Sequence, residues 1–395
     1  MRIAFFSNYI NHHQIPLSEA FLKRIGSDYL FVATENIPDE RIKMGYPNDN
    51  KKYSYVMTTY ETKEDEKKAQ KVAFESDVVI LGSASDRYIT KRLKKNKISF
   101  RYCERYYRKG WNVKTIPQYF LSGIYHHRRF QNRPLYYLCS SAYTAGDVNI
   151  FANYHGRQYK WGYFPEVIEY NIDELIKKKR QNKKTVILWV ARLLKLKHPE
   201  AAVYVAERLK EDGIDFELNI IGSGEREKCL RDLISEKGLE KNVNMLGAKT
   251  PKEVRTFMEN SNIFLFTSDY NEGWGAVVNE SMNSACAVVV SHAVGSAPFL
   301  IKNGKNGFIY KNGNIDDLYI KVKKLVDDEK LRELVGENAY FTMIKQWNAD
   351  VAAERLIVLC EMLLKGKDTP YDEGPCSKAE SIKEKDMFNY LMREE

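Results

Sequence analysis

The chain has 395 residues, 44% of them apolar, and a formal net charge of +9 from 62 Lys and Arg against 53 Asp and Glu. That length suits two domains with separate cores, and that apolar fraction excludes wholesale disorder. No apolar run approaches the roughly 20 residues of a membrane-spanning helix, and the opening M-R-I-A-F-F-S-N reads as a first strand rather than a signal peptide.

Arg2–Phe6 is the first strand-like run, followed by a loop over Ser7–His13 and a helix with Pro16 in its first turn. Tyr29–Ala33, Asp77–Leu81, Ile98–Tyr102 and Tyr136–Ser140 are further strands, with lysine-rich helical segments between them, and a helix starts in Ser141–Asp147. Strands alternating with helices imply a parallel sheet covered on both faces. Ligands of such sheets collect at the carboxyl ends of the strands. Asn8 to His13, including Asn11, His12 and His13, therefore shares one rim with Gly82–Ser85 and with Glu104 and Arg105. His12 and His13 are adjacent, so extended chain cannot aim both the same way. No metal site is expected from them.

Basic residues gather at Arg101, Arg105, Arg108 and Lys109, then at His126, His127, Arg128, Arg129 and Arg133. Tyr106, Tyr107, Trp111, Tyr119, Phe120, Tyr125 and Phe130 are interleaved with them. That mixture suits an anionic partner such as a membrane surface or a lipid phosphate, or else a solvated face over packed aromatics. A nucleic-acid binder would show the same cluster and a steep salt dependence, but nothing else in the chain supports that class.

After W-G-Y-F-P-E at Trp161–Glu166, a charged segment marks an interdomain crossing over about residues 165–182. Thr185–Val190 is a strand whose carboxyl end leads to Arg192 and then Lys197, two cations able to neutralise a diphosphate. Phe216–Ile221 runs into G-S-G-E-R-E; Glu227 stands where a dinucleotide fingerprint needs glycine, so Gly222, Ser223 and Gly224 read as a tight turn that lets a ligand approach the backbone. Val243–Leu246 is a short strand before Ala248 and Lys249, and Thr250, Pro251 and Glu253 form a capping-box pattern. Asn262–Thr267 is a buried-strand pattern leading to Y-N-E-G-W-G, with Gly273, Trp274 and Gly275, and a helix is predicted over Ala276–Ala285. Such a turn offers backbone N–H groups and a helix dipole to a phosphate. Glu272 in the loop and Glu280 on the helix are placed to accept hydrogen bonds from polyols.

Ala287–Ser291 is a strand, Gly295–Pro298 a turn into a helix, and N-G-K-N-G-F-I-Y a turn into the last strand. Amphipathic helices follow over Asp316–Val326 and Glu329–Asn338, then a longer one over Trp347–Leu364. The tail carries a small apolar group at Met387, Phe388, Tyr390, Leu391 and Met392. Six scattered cysteines without metal-ligand or redox spacing fit reduced thiols in a cytosolic protein.

Together these pieces resemble the retaining, nucleotide-sugar-dependent glycosyltransferases of family 4. The likeness runs from about Thr185 to Tyr310: Arg192 and Lys197 in R-x4-K spacing, I-I-G-S-G-E, L-G-A-K, and the Glu-x7-Glu signature at Glu272 and Glu280. The first half is similar to a branch active in cell-surface polysaccharide assembly, on N-H-H-Q-I-P, Glu104-Arg105 and G-Y-F-P-E. It departs from many members in having Asn8–His13 where a glycine-rich loop follows the first strand, and Glu104 where a histidine ends the fourth.

The resemblance implies an α/β protein of GT-B architecture, with two facing Rossmann-like domains of parallel sheets and a C-terminal helix crossing back to the N-domain. The expected division is 1–165 on the acceptor side, 166–345 for the nucleotide sugar, 346–365 for the crossing helix and 366–395 for the tail. It implies that Arg192 and Lys197 hold the donor diphosphate, aided by the backbone of Gly273–Gly275. Glu272 would bind the donor sugar, Glu280 the ribose, and Ala248 and Lys249 the base edge, with Gly222, Ser223 and Gly224 alongside. Asn11, His12, His13, Glu104 and Arg105 are the acceptor-side candidates.

No Asp-x-Asp occurs in the chain, so preorganised cations are expected to stabilise the leaving group, without metal or other cofactor. The expected activity moves a hexosyl unit, UDP-linked by preference, to a glycan or lipid-linked glycan in surface polysaccharide synthesis. The expected place is the cytoplasm, with peripheral contact to the membrane. Alternatives on the same architecture are a nucleotide-sugar epimerase or hydrolase, or a non-catalytic nucleotide-sugar-binding protein.

Overall fold

The computed structural model describes residues 1–39, 42, 48–106 and 116–382. Of the residues singled out above, Tyr107, Arg108, Lys109, Trp111, the side chain of Tyr119 and the tail group Met387, Phe388, Tyr390, Leu391 and Met392 lie outside them. The chain divides into two compact units, the first built chiefly from residues 1–166 and 348–382 and the second from 167–347.

The first unit is a seven-stranded parallel sheet in the order β3-β2-β1-β4-β5-β6-β7. Its strands are β1 (Ile3–Ser7), β2 (Tyr29–Ala33), β3 (Val56–Thr58), β4 (Val78–Leu81), β5 (Ser99–Cys103), β6 (Leu135–Cys139) and β7 (Gln158–Lys160). β1 and β4 are buried along their whole length, as continuous apolar strands between two helical layers must be. The helix predicted to start in Ser141–Asp147 spans Thr144–Asn149, because Ser141 and Tyr143 first form a turn.

The chain returns to this unit for its last described helix, Ala349–Leu364, which packs against Ile15–Ile25 and pairs Asp350 with Arg24 at 2.6 Å. Residues 376–379 then cover the β7 edge. Lys160 N–H donates to Ser377 O, and the N–H groups of Cys376 and Ala379 donate to Lys160 O and Gln158 O. An otherwise open edge strand is closed in this way.

The second unit is a six-stranded parallel sheet, β10-β9-β8-β11-β12-β13. It comprises β8 (Thr185–Val190), β9 (Phe216–Ile221), β10 (Val243–Met245), β11 (Ile263–Phe266), β12 (Ala287–Ser291) and β13 (Phe308–Tyr310). Its core joins Trp189, Phe216, Leu218, Leu265 and Val289 to helix residues such as Leu209. Thr250 caps the helix Pro251–Asn260 through the predicted capping box.

Two helices differ in length from their sequence patterns. The one predicted over Ala276–Ala285 spans Val277–Asn283, since Ser284 leaves the helical conformation and Ala285 takes a left-handed φ of 53°. The one predicted over Glu329–Asn338 continues to Lys345, its inner face burying Tyr340 and Met343. Among the described residues no helix is long and apolar enough to cross a membrane.

Candidate functional site

In the second unit the loops at the carboxyl ends of β8, β9, β10 and β11 converge. Arg192 follows β8, is exposed, and makes no side-chain hydrogen bond or ion pair among the described residues. Its loop is fixed by the G-S-G turn after β9. Leu193 N–H donates to Ser223 O at 2.9 Å, and Arg226 N–H donates to Leu193 O at 3.0 Å. Gly222 and Gly224 have φ of 145° and 154°, and a Cβ on Gly222 would stand 1.9 Å from Ala191 O. Glycine is required here because two backbones meet. Gly222 N–H in turn donates to Gly247 O at 2.9 Å, which sets the exposed Ala248 and Lys249 beside the same turn.

Lys197 closes a short 3-10 turn, Lys195–Lys197, and its ammonium pairs with the Glu272 carboxylate. The ammonium also lies 5.2 Å from the Phe266 ring centroid. These loops are tied through Thr267, whose hydroxyl donates to Lys197 O and accepts from the buried Trp189 indole N–H at 2.9 Å. Asp269 N–H donates to Leu196 O at 3.0 Å, and Asp269 Oδ1 accepts from the Asn271 backbone N–H at 2.8 Å, forming the turn that presents Glu272. His198 Nε2 lies 3.1 Å from Asp269 Oδ2. His198 and Asp269 carry no motif of their own; the only sequence signal is their adjacency to Lys197 and the Glu272 loop.

The backbone N–H groups of Gly273, Gly275, Ala276 and Val277 have no partner among the described residues. Trp274, expected at the donor site, has its indole packed inside the second unit. Its indole is 1% exposed, donates to Asn279 Oδ1 at 2.9 Å, and packs on Phe299 and Trp347. The position can offer a ligand its backbone but not its ring. Glu280 is half-buried. Burial pushes its carboxyl up from the ordinary range, and the Arg255 guanidinium pulls the other way.

In the first unit the rim candidates separate into two groups. Asn11 shapes the turn into the helix Ile15–Ile25: its carbonyl accepts from the N–H groups of Gln14 and Ile15, and its Oδ1 from His13 N–H. The rings of His12 and His13 lie 3.8 Å apart, and His13 stacks on Tyr163 at 5.8 Å and 17°. The Tyr163 hydroxyl donates to Glu104 Oε1 at 2.5 Å. Tyr163, absent from the sequence-based candidates, thus joins Glu104 to the histidine pair. Arg105 stands apart, with Nε 3.4 Å from Asp147 Oδ2 and its guanidinium over the Tyr143 ring.

The basic cluster is largely an internal ion-pair network. Asp86 accepts from Arg101 at 2.7 Å, Arg129 at 2.5 Å and His126 Nδ1 at 2.9 Å. His127 is 3% exposed, bonds to the Tyr137 hydroxyl at 2.6 Å and stacks on Phe151. Burial pushes its pKa down to about 3, so it is a neutral core residue. Arg128 and Arg133 stay exposed, as do Phe120, Leu121 and Tyr125 on the helix Ile116–His126.

Among the described residues no group of three or more His, Cys, Asp or Glu is arranged to hold a metal ion.

Residues 171–341 match the family described as Glycosyl transferases group 1. The chain is 28% identical over 184 residues to the capsular polysaccharide biosynthesis glycosyltransferase CapM of Staphylococcus aureus, covering 47% of this chain and 48% of that protein. It is 30% identical over 204 residues to an N,N'-diacetylbacillosaminyl-diphospho-undecaprenol alpha-1,3-N-acetylgalactosaminyltransferase of Campylobacter jejuni, covering 51% and 52%. The matches to the first relatives span about a third to a half of their length.

Anabaena HepE, solved with UDP, superposes with a TM-score of 0.67 at 16% identity, over 92% of this chain and 100% of that one. S. aureus TarM, also solved with UDP, gives 0.55 at 19% identity, over 71% and 55%. These last two are likenesses of fold. The fold is that of GT-B proteins, built from two Rossmann-like parallel-sheet units, and the match to Glycosyl transferases group 1 falls within the second of them.

Proposed function

We propose that this chain is a retaining glycosyltransferase of family 4 that moves a hexosyl unit from a nucleotide sugar, preferentially UDP-linked, to a glycan or lipid-linked glycan in surface polysaccharide synthesis. The observation that carries this reading is the convergence at one sheet edge of Arg192, the Lys197–Glu272 pair and the open backbone amides of Gly273 and Gly275. A departing nucleoside diphosphate develops negative charge, and cations with fixed N–H donors stabilise it without reorganising.

In this reading Arg192 and Lys197 hold the diphosphate. Glu272 accepts hydrogen bonds from the donor sugar and Glu280 from the ribose, with Ala248 and Lys249 near the base. The acceptor hydroxyl attacks from the face the diphosphate leaves and its proton passes to a phosphate oxygen, so no metal and no protein base is required. The UDP bound by HepE and TarM supports the choice of nucleotide. The lipid-linked acceptor in the name of the Campylobacter relative supports the acceptor class.

Asn11, His12, His13, Glu104 and Arg105 remain the acceptor-side candidates. Peripheral contact with an anionic membrane through the helix Ile116–His126 is supported by the exposed Phe120, Leu121 and Tyr125 beside Arg128. The protein would then work at the cytoplasmic face.

A nucleotide-release assay tests the proposal, offering UDP-, GDP- and ADP-sugars with EDTA present, with and without a membrane-lipid extract. Release from one donor that increases with extract and disappears in Glu272→Gln is expected. Extract-independent turnover would indicate an epimerase or hydrolase, and binding without turnover under every condition a binding protein.

A further inference from the structure

His198 stands between Lys197 and Pro199 in a left-handed backbone conformation, φ 46° and ψ 52°. A residue with a Cβ is strained there, and glycine would not be. The imidazole reaches two elements from that position. Its Nε2 lies 3.1 Å from Asp269 Oδ2, on the loop after β11, and its Nδ1 lies 3.7 Å from Glu200 Oε1, at the start of the helix Glu200–Glu211.

Asp269 is the residue whose other oxygen, Oδ1, holds the Asn271 turn before Glu272. One carboxylate therefore connects the shape of the Glu272 loop to the imidazole next to Lys197. From this arrangement we infer that His198 is a positioning residue whose protonated imidazole bridges Asp269 and Glu200, clamping the loop that carries Lys197 to the loop that carries Glu272. The inference extends the donor-site reading above, but the clamp itself is defined by these contacts alone.

The charged groups facing His198 have been placed. Asp269 comes from the loop after β11, and Glu200 from its helix with Arg226 3.6 Å beyond it. On the histidine's own loop, Lys197 is paired with Glu272, and Lys195 is exposed with its backbone N–H on Glu225. The Glu200 carboxylate raises the His198 pKa, burial opposes it, and the Asp269 hydrogen bond raises it again. Glu200 is shifted in the complementary direction, downward, first by His198.

For a histidine with a raised folded pKa, the clamp is fully present below the ordinary histidine value of about 6.5 and is lost as pH rises through the raised value.

The test uses the full chain. Amide hydrogen exchange of residues 194–199 and 267–272 is measured at pH 6 and at pH 8.5, corrected for the intrinsic pH dependence of exchange. Wild type, His198→Gln, His198→Gly and Asp269→Asn are compared. Wild type is expected to be more protected at pH 6 by about twofold to fivefold, and all three variants to lose that difference. His198→Gly keeps the backbone conformation free of strain, so the same pH dependence in that variant would overturn the clamp. So would equal protection of wild type at both pH values.

The donor reading is decided separately by UDP affinity at pH 6 in wild type and Arg192→Ala. Equal affinity there would refute the diphosphate site and leave the exchange result to decide the clamp.

Discussion

Lys197 and Glu272 form an ion pair at the sheet edge, and their side chains are 14% and 15% exposed. The two residues with the strongest sequence signal in the second unit thus neutralise one another. A diphosphate would compete with Glu272 for the Lys197 ammonium, so the two substitutions should act in opposite directions on nucleotide binding. Lys197→Ala is expected to weaken UDP binding and to lower transfer by about 10²- to 10³-fold. Glu272→Gln is expected to hold UDP at least as tightly as wild type while losing transfer. Calorimetric titration with UDP beside the nucleotide-release assay separates these effects; weaker UDP binding in Glu272→Gln would contradict this account of the pair.

The glycines after β9 make a second prediction. Gly222→Ala places a Cβ against Ala191 O, with a φ of 145° that a side chain rarely adopts. The expected loss is about 2 to 4 kcal/mol, together with weaker UDP binding as the Arg192 loop is displaced. Gly247→Ala is the control: its φ is 68° but nothing lies within 4 Å of the added Cβ, so only the backbone term of about 1 kcal/mol applies. Urea unfolding of the two variants checks the difference. Equal losses would mean that the G-S-G turn needs its glycines only for conformation and not for the close approach.

Much of the fold is legible in the sequence, and the limits of that legibility have physical causes. The inner strands are continuous apolar runs because both faces of a parallel sheet are covered. β3 (V-M-T) and β7 (Q-Y-K) are three-residue edge strands that mix polar with apolar residues, whereas β13, equally short, is the wholly apolar F-I-Y that does stand out. Arg192, Lys197 and Glu272 can be read as a set from spacing because the loops after the neighbouring strands β8 and β11 lie at one edge, whereas Glu280 is on the helix that follows. The burial of the Trp274 indole is not legible from its two flanking glycines, since Trp347 and Phe299 reach it from later segments. Part of the basic cluster is engaged by a pairing of the same long-range kind. Asp86, from the segment after β4, holds Arg101, Arg129 and His126, one negative charge against two guanidinium groups and an imidazole, and no local pattern announces that pairing.

Asp86 gives a prediction about pH. Burial on its own would push its carboxyl up, but the Arg101 charge and the hydrogen bonds from His126 and Arg101 outweigh it and hold the pKa below the usual carboxylate range. A carboxyl depressed in the folded state contributes stability above its unfolded value of about 3.9, and that stability is lost as pH falls through the folded value. Asp86→Asn leaves the partly buried Arg101 without its counter-charge and is expected to destabilise the first unit by about 3 kcal/mol at pH 7. The gap between wild type and variant should close as pH falls below the carboxylate range. Hydrogen exchange of the β5 amides, followed with pH, reads this directly, and a gap that is constant from pH 7 to pH 2 would refute the role assigned to the charge.

The first unit's own candidate site rests on Tyr163, whose hydroxyl donates to Glu104 and whose ring stacks on His13. Tyr163→Phe keeps the ring and removes only the donated hydrogen bond, so the stack with His13 and the fold should persist. Glu104 then loses one hydrogen-bond donor to its carboxylate. A hydrogen bond to a charged group contributes about 1.5 to 3 kcal/mol, which corresponds to about tenfold or more in rate when it is needed in the transition state. The acceptor-side reading of Glu104 places that loss on acceptor use alone. Release stimulated by the membrane-lipid extract is therefore expected to fall by about tenfold, while UDP affinity stays at the wild-type value. A drop in UDP affinity in Tyr163→Phe would move Glu104 from acceptor to donor, and unchanged stimulated release would remove the Glu104–Tyr163 pair from the reaction.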